Sequence, residues 1–521
     1  MVNITYDALW VYNPGDIAWV LASTALVWLM IPGVGFFYSG LLRRKNALSM
    51  IWASMMTVAV VSFSVCSHSY ARHTSGTNRV PSGPSGSSGL FVSFSDTADA
   101  YIGDLRYFGL KGVLETPSIG STRIPSIAFC VFQLMFAAIT PILAIGAIAE
   151  RGRLGPIMVF VFVWSTIVYD PIACWTWNSH GWSFVLGGLD FAGGTPVHIS
   201  SGTAALAISI YLGKRRGYGT DRLAYKPHNT TYVVIGTVFL WFGWFGFNGG
   251  SALSANLRAV QACIVTNLAA SVGGLTWMLW ITALSASGPL LVSALELSPD
   301  WSPSLPPQDM LGLVRAHPFS SPSTTDICVT AAAVLFGFMA GTLCNFATQL
   351  KFVFGYDDCL DIFASHAIGG VIGNVLTGLF AQASVAHFDG LTVIPGGWLD
   401  HHYIQLGYQI ADSVAGMSYS FVMTTIILWI MHFIPGLRLR ASEEAEIVGI
   451  DDAEMGEFAY DYVGIDIAAS GGHDFHDDVH SHGDLPATTG GREPRHLHAT
   501  KDGAGSIGDS EVSEKQPVAV A

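Results

Sequence analysis

Ten separate runs of roughly 18 or more mostly apolar residues punctuate this chain, at about 17–40, 46–66, 125–149, 157–177, 196–213, 231–253, 258–284, 328–350, 361–382 and 410–435. A run of that length lets a helix cross the hydrocarbon core of a bilayer, where every backbone N–H and C=O must find its partner inside the protein. The repetition restricts the chain to an all-α polytopic membrane protein. Composition agrees: 51% of residues are hydrophobic and only 12% charged, about half the usual charged share. Ordinary soluble enzymes are excluded, and the short, loop-bound cationic clusters offer no surface for nucleic acid. The seven cysteines form no CxxC pair and mostly fall in apolar runs, so neither a disulfide framework nor a metal site is expected. No cofactor is expected either. The first run is too long for a signal-peptide core and is read as a mature span.

Charge divides the chain. Residues 441–521 hold 18 acidic and 4 basic side chains, a net of −14, which equals the charge of the whole chain. Residues 1–440 are therefore neutral. The reading that follows has an outer N-terminal segment (1–16), a membrane-spanning domain (17–440) and an acidic cytoplasmic tail (441–521), largely disordered after about 465.

Lys and Arg mark the cytoplasmic ends of spans. Arg43-Arg44-Lys45, Arg151 with Arg153, and Lys214-Arg215-Arg216 follow the first, third and fifth runs, and Arg438 and Arg440 follow the last. Ten crossings would strand Arg438, Arg440 and Lys351 outside. Parity therefore calls for eleven spans, N-out and C-in, with the extra crossing between about 284 and 327. That stretch carries seven prolines with Glu296, Asp300, Asp309 and Arg315, which makes poor lipid-facing helix. A second anomaly at 67–92, rich in Ser, Gly and Pro, cuts the second span short. Spans two and eight are thus atypical.

The glycine-aromatic-Ser texture of Gly33–Gly40 returns five spans later at Trp244–Ser251. Asp190 before His198 is echoed by Asp361 before His366. A five-span unit must be inverted when it repeats, which is the build of many transporters. The expected architecture is two five-helix inverted repeats plus a final helix. His198 and His366 hold matching places in the two repeats. In lipid such polar side chains line a pathway or pair with each other, whereas in a soluble core each would simply satisfy a carbonyl. A facing neutral pair, one ring donating and the other accepting, suits relay of a small polar molecule. Bis-imidazole haem ligation is the rival chemistry, but such proteins often carry two His pairs and this chain has one.

Phe136 in the third span, Trp177 ending the fourth, and Trp244 and Phe247 in the sixth are aromatic candidates, though packing explains any one of them alone. The fourth and sixth spans both run outward, which places Trp177 and Phe247 near one mouth with Ser251 a turn further on. Aromatic faces plus a hydroxyl attract a small monovalent cation. Asp190, just ahead of the fifth span, reads first as a helix cap, with help to a cation as a side effect.

LDFAGGTPVHISSG (189–202), WFGWFGFNGGSAL (241–253), VFQLMFAAITPILAIGAIAER (131–151), DDCLDIFASHAIGGVIGN (357–374) and GEFAYDYV (456–463) together resemble the ammonium transporter family, most of all its fungal methylammonium permeases. The resemblance implies an ammonium or methylammonium permeant, residence in the plasma membrane and a homotrimer with one pore per subunit. It assigns Trp177 and Ser251 to an outer recruitment site, with Asp190 in support. Phe136 and Phe247 become a gate, and His198 and His366 the pore histidines, with Trp244 beside them. His at 198 resembles the high-affinity, sensor-capable members, and the tail is where a cytoplasmic regulator or kinase would act. Relatives carry the outer half of span two and a full span eight where this chain has 67–92 and 284–327, a pattern of mis-assigned exon boundaries. The alternative is a non-transporting sensor or an inactive product. Asn3-Ile4-Thr5 is a glycosylation sequon on the expected outer side, and Asn229-Thr230-Thr231, on the inner side, is expected to stay bare.

Overall fold

The computed structural model describes residues 12–67, 93–96, 98–103, 110, 113–220, 227–286 and 330–460. Residues Met1–Asp461 form one compact unit, and Tyr462–Ala521, a second unit, lie outside the described residues. So do Asn3 and nearly all of the two anomalous stretches.

The described chain is helical. The α-helices are α1 (Pro14–Leu41), α2 (Ala47–Ser67), α3 (Ser126–Ile145), α4 (Leu154–Trp164), α5 (Asp170–Trp177), α6 (Trp182–Leu186), α7 (Ser200–Leu212), α8 (Thr230–Gly250) and α9 (Leu257–Ala286). After these come α10 (Thr330–Ala347), α11 (Leu350–Phe354), α12 (Gly369–Phe380), α13 (Ala383–Ala386), α14 (Gln405–Phe433) and α15 (Glu443–Val448). π-helical turns join α4 to α5 (Ser165–Tyr169) and lead into α7 (Gly194–Ile199) and α12 (Phe363–Ile368). Among the described residues, nine helices are long and apolar enough to cross a membrane. The run at 196–213 also folds as helix, through its π turn and α7, but His, Ser, Thr and Gly dilute its hydropathy.

Local chemistry sets the boundaries. Asn13 accepts the N–H of Gly15 at 2.8 Å ahead of Pro14, a capping residue followed by a proline whose missing donor costs nothing there. Asn229 caps α8 through the N–H of Tyr232 at 3.1 Å, and its amide donates to the Tyr460 hydroxyl at 2.7 Å. Both ends of the Asn229 side chain are thus engaged in packing.

Small residues set how the helices cross. A Cβ on Gly40 would meet Asn229 and Val233, one on Gly33 would meet Phe239 and Gly236, and one on Gly250 would meet Ser23. As α1 advances α8 recedes, so the first and sixth spans are antiparallel and touch along small residues. The His-bearing helices behave alike: Gly202 abuts Ala367, whereas Gly370 abuts Gly194 and Ile199. Between α9 and α10 the order differs. Gly337 lies on Ala269 and Gly341 on Gly273, while Trp280 donates to Thr342 at 3.0 Å. These two helices run parallel, so the chain leaves α9 at one face and enters α10 at the other.

The basic clusters gather on one face. Glu150 receives Arg43 at 3.0 Å and Arg215 at 2.8 Å, and Asp357 receives Arg215 at 2.8 Å and Arg151 at 2.9 Å. Arg153 donates its backbone N–H to Leu439 at 2.9 Å. The first part of the tail lies on this face as well: Asp451 accepts the N–H groups of Leu48 at 2.9 Å and Ser49 at 2.8 Å, capping α2.

Candidate functional site

His198 and His366 meet where the two helices that follow them cross. Their Nδ1 atoms lie 3.0 Å apart, in hydrogen-bond contact, with ring planes within 6° of each other. Each sits in a six-residue π turn, GTPVHI or FASHAI, and each is followed four residues later by the glycine that lets the partner helix approach. A π turn shifts the register of the side chains it carries, and such turns recur at functional positions. The pair is buried, with His198 at 8% exposure and His366 at 1%.

Aromatic rings continue the line. The Trp244 ring lies nearly parallel to His198 at 6.2 Å, and Phe247 is 6.2 Å from the same imidazole. Phe247 meets Phe136 at 4.3 Å with planes tilted by 37°, and Phe136 meets Trp177 edge-on at 5.8 Å. Phe136 and Phe247 are both 1% exposed, whereas Trp177 and Ser251 are half-buried. Two occluded rings therefore separate a partly open aromatic position from the histidines. Beneath them, His198, Trp244, Phe247, Val197, Leu143 and neighbouring aliphatics line an apolar cavity with room for about one water-sized molecule. Nε2 of His198 and Nε1 of Trp244 are buried without a hydrogen-bond partner among the described residues.

Asp190 holds this arrangement from outside the helix. Its carboxylate accepts the N–H groups of Gly193 at 2.6 Å, Gly194 at 3.0 Å and Thr195 at 2.7 Å, while its carbonyl accepts the Trp177 indole N–H at 3.0 Å. Gly193 has φ of +106°, a conformation that favours glycine. The cap expected of Asp190 is present. Ser251 donates to the carbonyl of Phe247 at 2.8 Å, one turn back.

The sequence echo needs one correction. Asp358, not Asp361, is the counterpart of Asp190: it accepts the N–H of Phe363 at 2.9 Å, three residues before His366, as Asp190 does three residues before His198. Both acids stand eight residues ahead of their histidine. Asp361 instead binds Lys351 at 2.7 Å. The spacing was available in the sequence, but the nearer aspartate drew the comparison.

Sequence reasoning also passed over Asp412, Asn374 and Thr195. Asp412 is a buried carboxyl within α14 and accepts the Thr195 hydroxyl; Asn374 donates to Thr195 at 2.8 Å and to Ser413 at 2.9 Å. An acid inside a span-length apolar run was the available signal.

Known proteins resemble this chain over most of its length. The profile described as "Ammonium Transporter Family" matches residues 18–286 and 321–460. Ammonium transporter 1 of Schizosaccharomyces pombe is 50% identical over 453 residues, covering 87% of this chain and 83% of the relative. Ammonium transporter MEP2 of Saccharomyces cerevisiae is 41% identical over 472 residues, with 88% and 86% covered. Among solved structures, that of Candida albicans Mep2 aligns with a TM-score of 0.70 at 43% identity, covering 87% of this chain and 92% of that one.

Proposed function

The chain belongs to the ammonium transporter family, and from that premise we propose how it moves its permeant through the membrane. Ammonium is recruited as NH4+ at Trp177 and Ser251, gives its proton to the outer water through that half-open mouth as it reaches the Phe136–Phe247 pair, and passes as a neutral molecule along His198 and His366. Carrying a bare cation into low dielectric costs many kcal/mol, so the mouth must offer aromatic and hydroxyl contacts in place of water. Below the rings nothing charged lines the cavity beside His198. A neutral permeant gains a hydrogen bond there, whereas K+ has no proton to surrender and gains nothing. The Nδ1 contact between the histidines is the observation that carries this reading.

Transport is favoured over the sensor alternative by the paired, buried histidines behind an intact aromatic pair, and by relatives named as transporters. Eleven spans with the N-terminus outside follow from two supports: the gathered basic face and the parallel α9 and α10. The protein acts by binding and passage, with no enzymatic step. Its domains are read as 1–16 outside, 17–440 in the membrane and 441–521 in the cytoplasm. Methylammonium as a second permeant, the plasma membrane, a homotrimer, glycosylation at Asn3 and a regulator reading the tail complete the proposal, on family resemblance.

The test replaces both His198 and His366 by Ala in cells lacking their own ammonium carriers. Uptake of labelled methylammonium should lose its selectivity over K+. Unchanged selective uptake, at an equal surface level, would sink the proposal.

A further inference from the structure

The last helix belongs to neither repeat, yet it holds the segment on which the outer histidine stands. Along α14, polar residues recur every three or four positions and face inward. Gln405 donates to the carbonyl of Gly187 at 2.8 Å, and Gln409 exchanges two bonds with Leu189, at 2.7 and 2.8 Å. Ser420 donates to the carbonyl of Ser200 at 2.6 Å. Between these anchors lies Asp412, 2% exposed, whose carboxylate takes the Thr195 hydroxyl. One turn on, Gly416 receives the Thr195 methyl, since a Cβ there would stand 2.5 Å from Thr195 Cγ2. Thr195 thus has a niche for each branch of its side chain. Its oxygen also accepts Asn374 from α12, eight residues beyond His366. A hydroxyl has one proton to donate and lone pairs to accept with, so both bonds coexist.

Thr195 lies in the same π turn as His198, three residues before it. Its backbone N–H is fixed by Asp190 and its hydroxyl by Asp412. A π turn has an ordinary α-helical alternative in which every later side chain rotates. Clamping Thr195 from both sides selects the register that points His198 at His366.

We propose that Asp412 is a positioning residue for transport, acting through Thr195 to hold His198 in register with His366. This rests on the histidine pathway proposed above and adds to it a determinant on a helix outside both repeats. It touches no permeant. Asp412→Leu and Thr195→Val each remove one side of the same bond, whereas Asp412→Asn keeps an acceptor and Thr195→Ser keeps the donor.

The experiment measures labelled methylammonium uptake against concentration, with and without competing K+, per carrier at the cell surface, in cells lacking their own carriers. Asp412→Leu and Thr195→Val should each lower Vmax per surface carrier on the order of tenfold or more, as expected for a site group moved out of place, and should weaken discrimination against K+. Because Thr195→Val also loses the Asn374 bond and Asp412→Leu the Ser183 bond, the double variant should lose more than either single one but clearly less than the product of the two, and Asp412→Asn and Thr195→Ser should restore most of the rate. A merely structural role would reduce surface level and leave rate and selectivity per carrier unchanged. That outcome, or losses that multiply in the double variant, overturns the proposal. Failure of the histidine pathway itself would be separate, because the His198→Ala, His366→Ala protein would then stay selective.

Discussion

Gly202→Ala offers the sharpest test of the crossing on which the pore depends. A Cβ at residue 202 would lie 2.3 Å from the backbone nitrogen of Ala367 and 2.9 Å from its Cα and Cβ. The obstacle is backbone, which cannot swing aside, so the two helices must part by roughly 1 Å to reach ordinary contact. Ala367 directly follows His366, and the displacement reaches the imidazole pair. From 3.0 Å, the Nδ1 separation would grow to about 4 Å, beyond hydrogen-bond range. The overpacking costs about 1–3 kcal/mol of stability. Misplacement of about 1 Å in a site can cost on the order of a hundredfold in rate, so uptake should fall far more than abundance. The assay is labelled methylammonium uptake per surface-biotinylated carrier. Gly155→Ala is the control, because a Cβ there meets nothing within 4 Å, and Ala in a helix is favoured over Gly by about 0.5–1 kcal/mol. A Gly202→Ala carrier that reaches the surface and transports at the unsubstituted rate would refute the reasoning.

Three further outcomes follow from the same geometry. Phe247→Ala removes the ring 4.3 Å from Phe136 and should admit K+ as a competitor, read as K+ inhibition of methylammonium uptake. Asp451→Ala strips the cap from the N–H groups of Leu48 and Ser49 and should destabilise the solubilised protein by about 1 kcal/mol, seen as a lower Tm. For Glu150 and Asp357 on the basic face, burial pushes the carboxyl pKa up, but the guanidiniums of Arg215 and Arg43, and of Arg215 and Arg151, outweigh it and leave both lowered. A depressed carboxylate contributes stability that is present above its unfolded pKa and lost as pH falls through the folded one. The Tm of the solubilised protein should therefore hold at neutral pH and drop below about pH 4, and Glu150→Gln should flatten that drop.

The spans were legible because lipid demands long apolar helices, and nine of the ten runs meet that demand outright. His198 and His366 stood out because imidazoles are rare in such runs, and their matching places implied that they face each other. The π turns were not legible: GTPVHI and FASHAI share no marker of that register, although the aspartates that cap them, Asp190 and Asp358, stand only five residues ahead of the N–H groups they accept. The polar stripe of α14 could have been found from its three-and-four spacing, but its partners are backbone carbonyls at 187, 189 and 200. No periodicity in one helix names the carbonyls of another.

The parallel course of α9 and α10 has a consequence for how the protein is made. Helices are threaded into a membrane in order of synthesis, and everything after residue 330 inherits the direction in which α10 enters. Entry from the wrong side would present the His366 turn inverted, with Asp357 on the face opposite to Arg151 and Arg215, its partners in the ion network. A correctly oriented first half would then have no second half to close against. The direction in which α10 enters thus decides whether a pore exists at all, and a cell inspecting the topology of the newly made protein would in effect be inspecting its capacity to conduct.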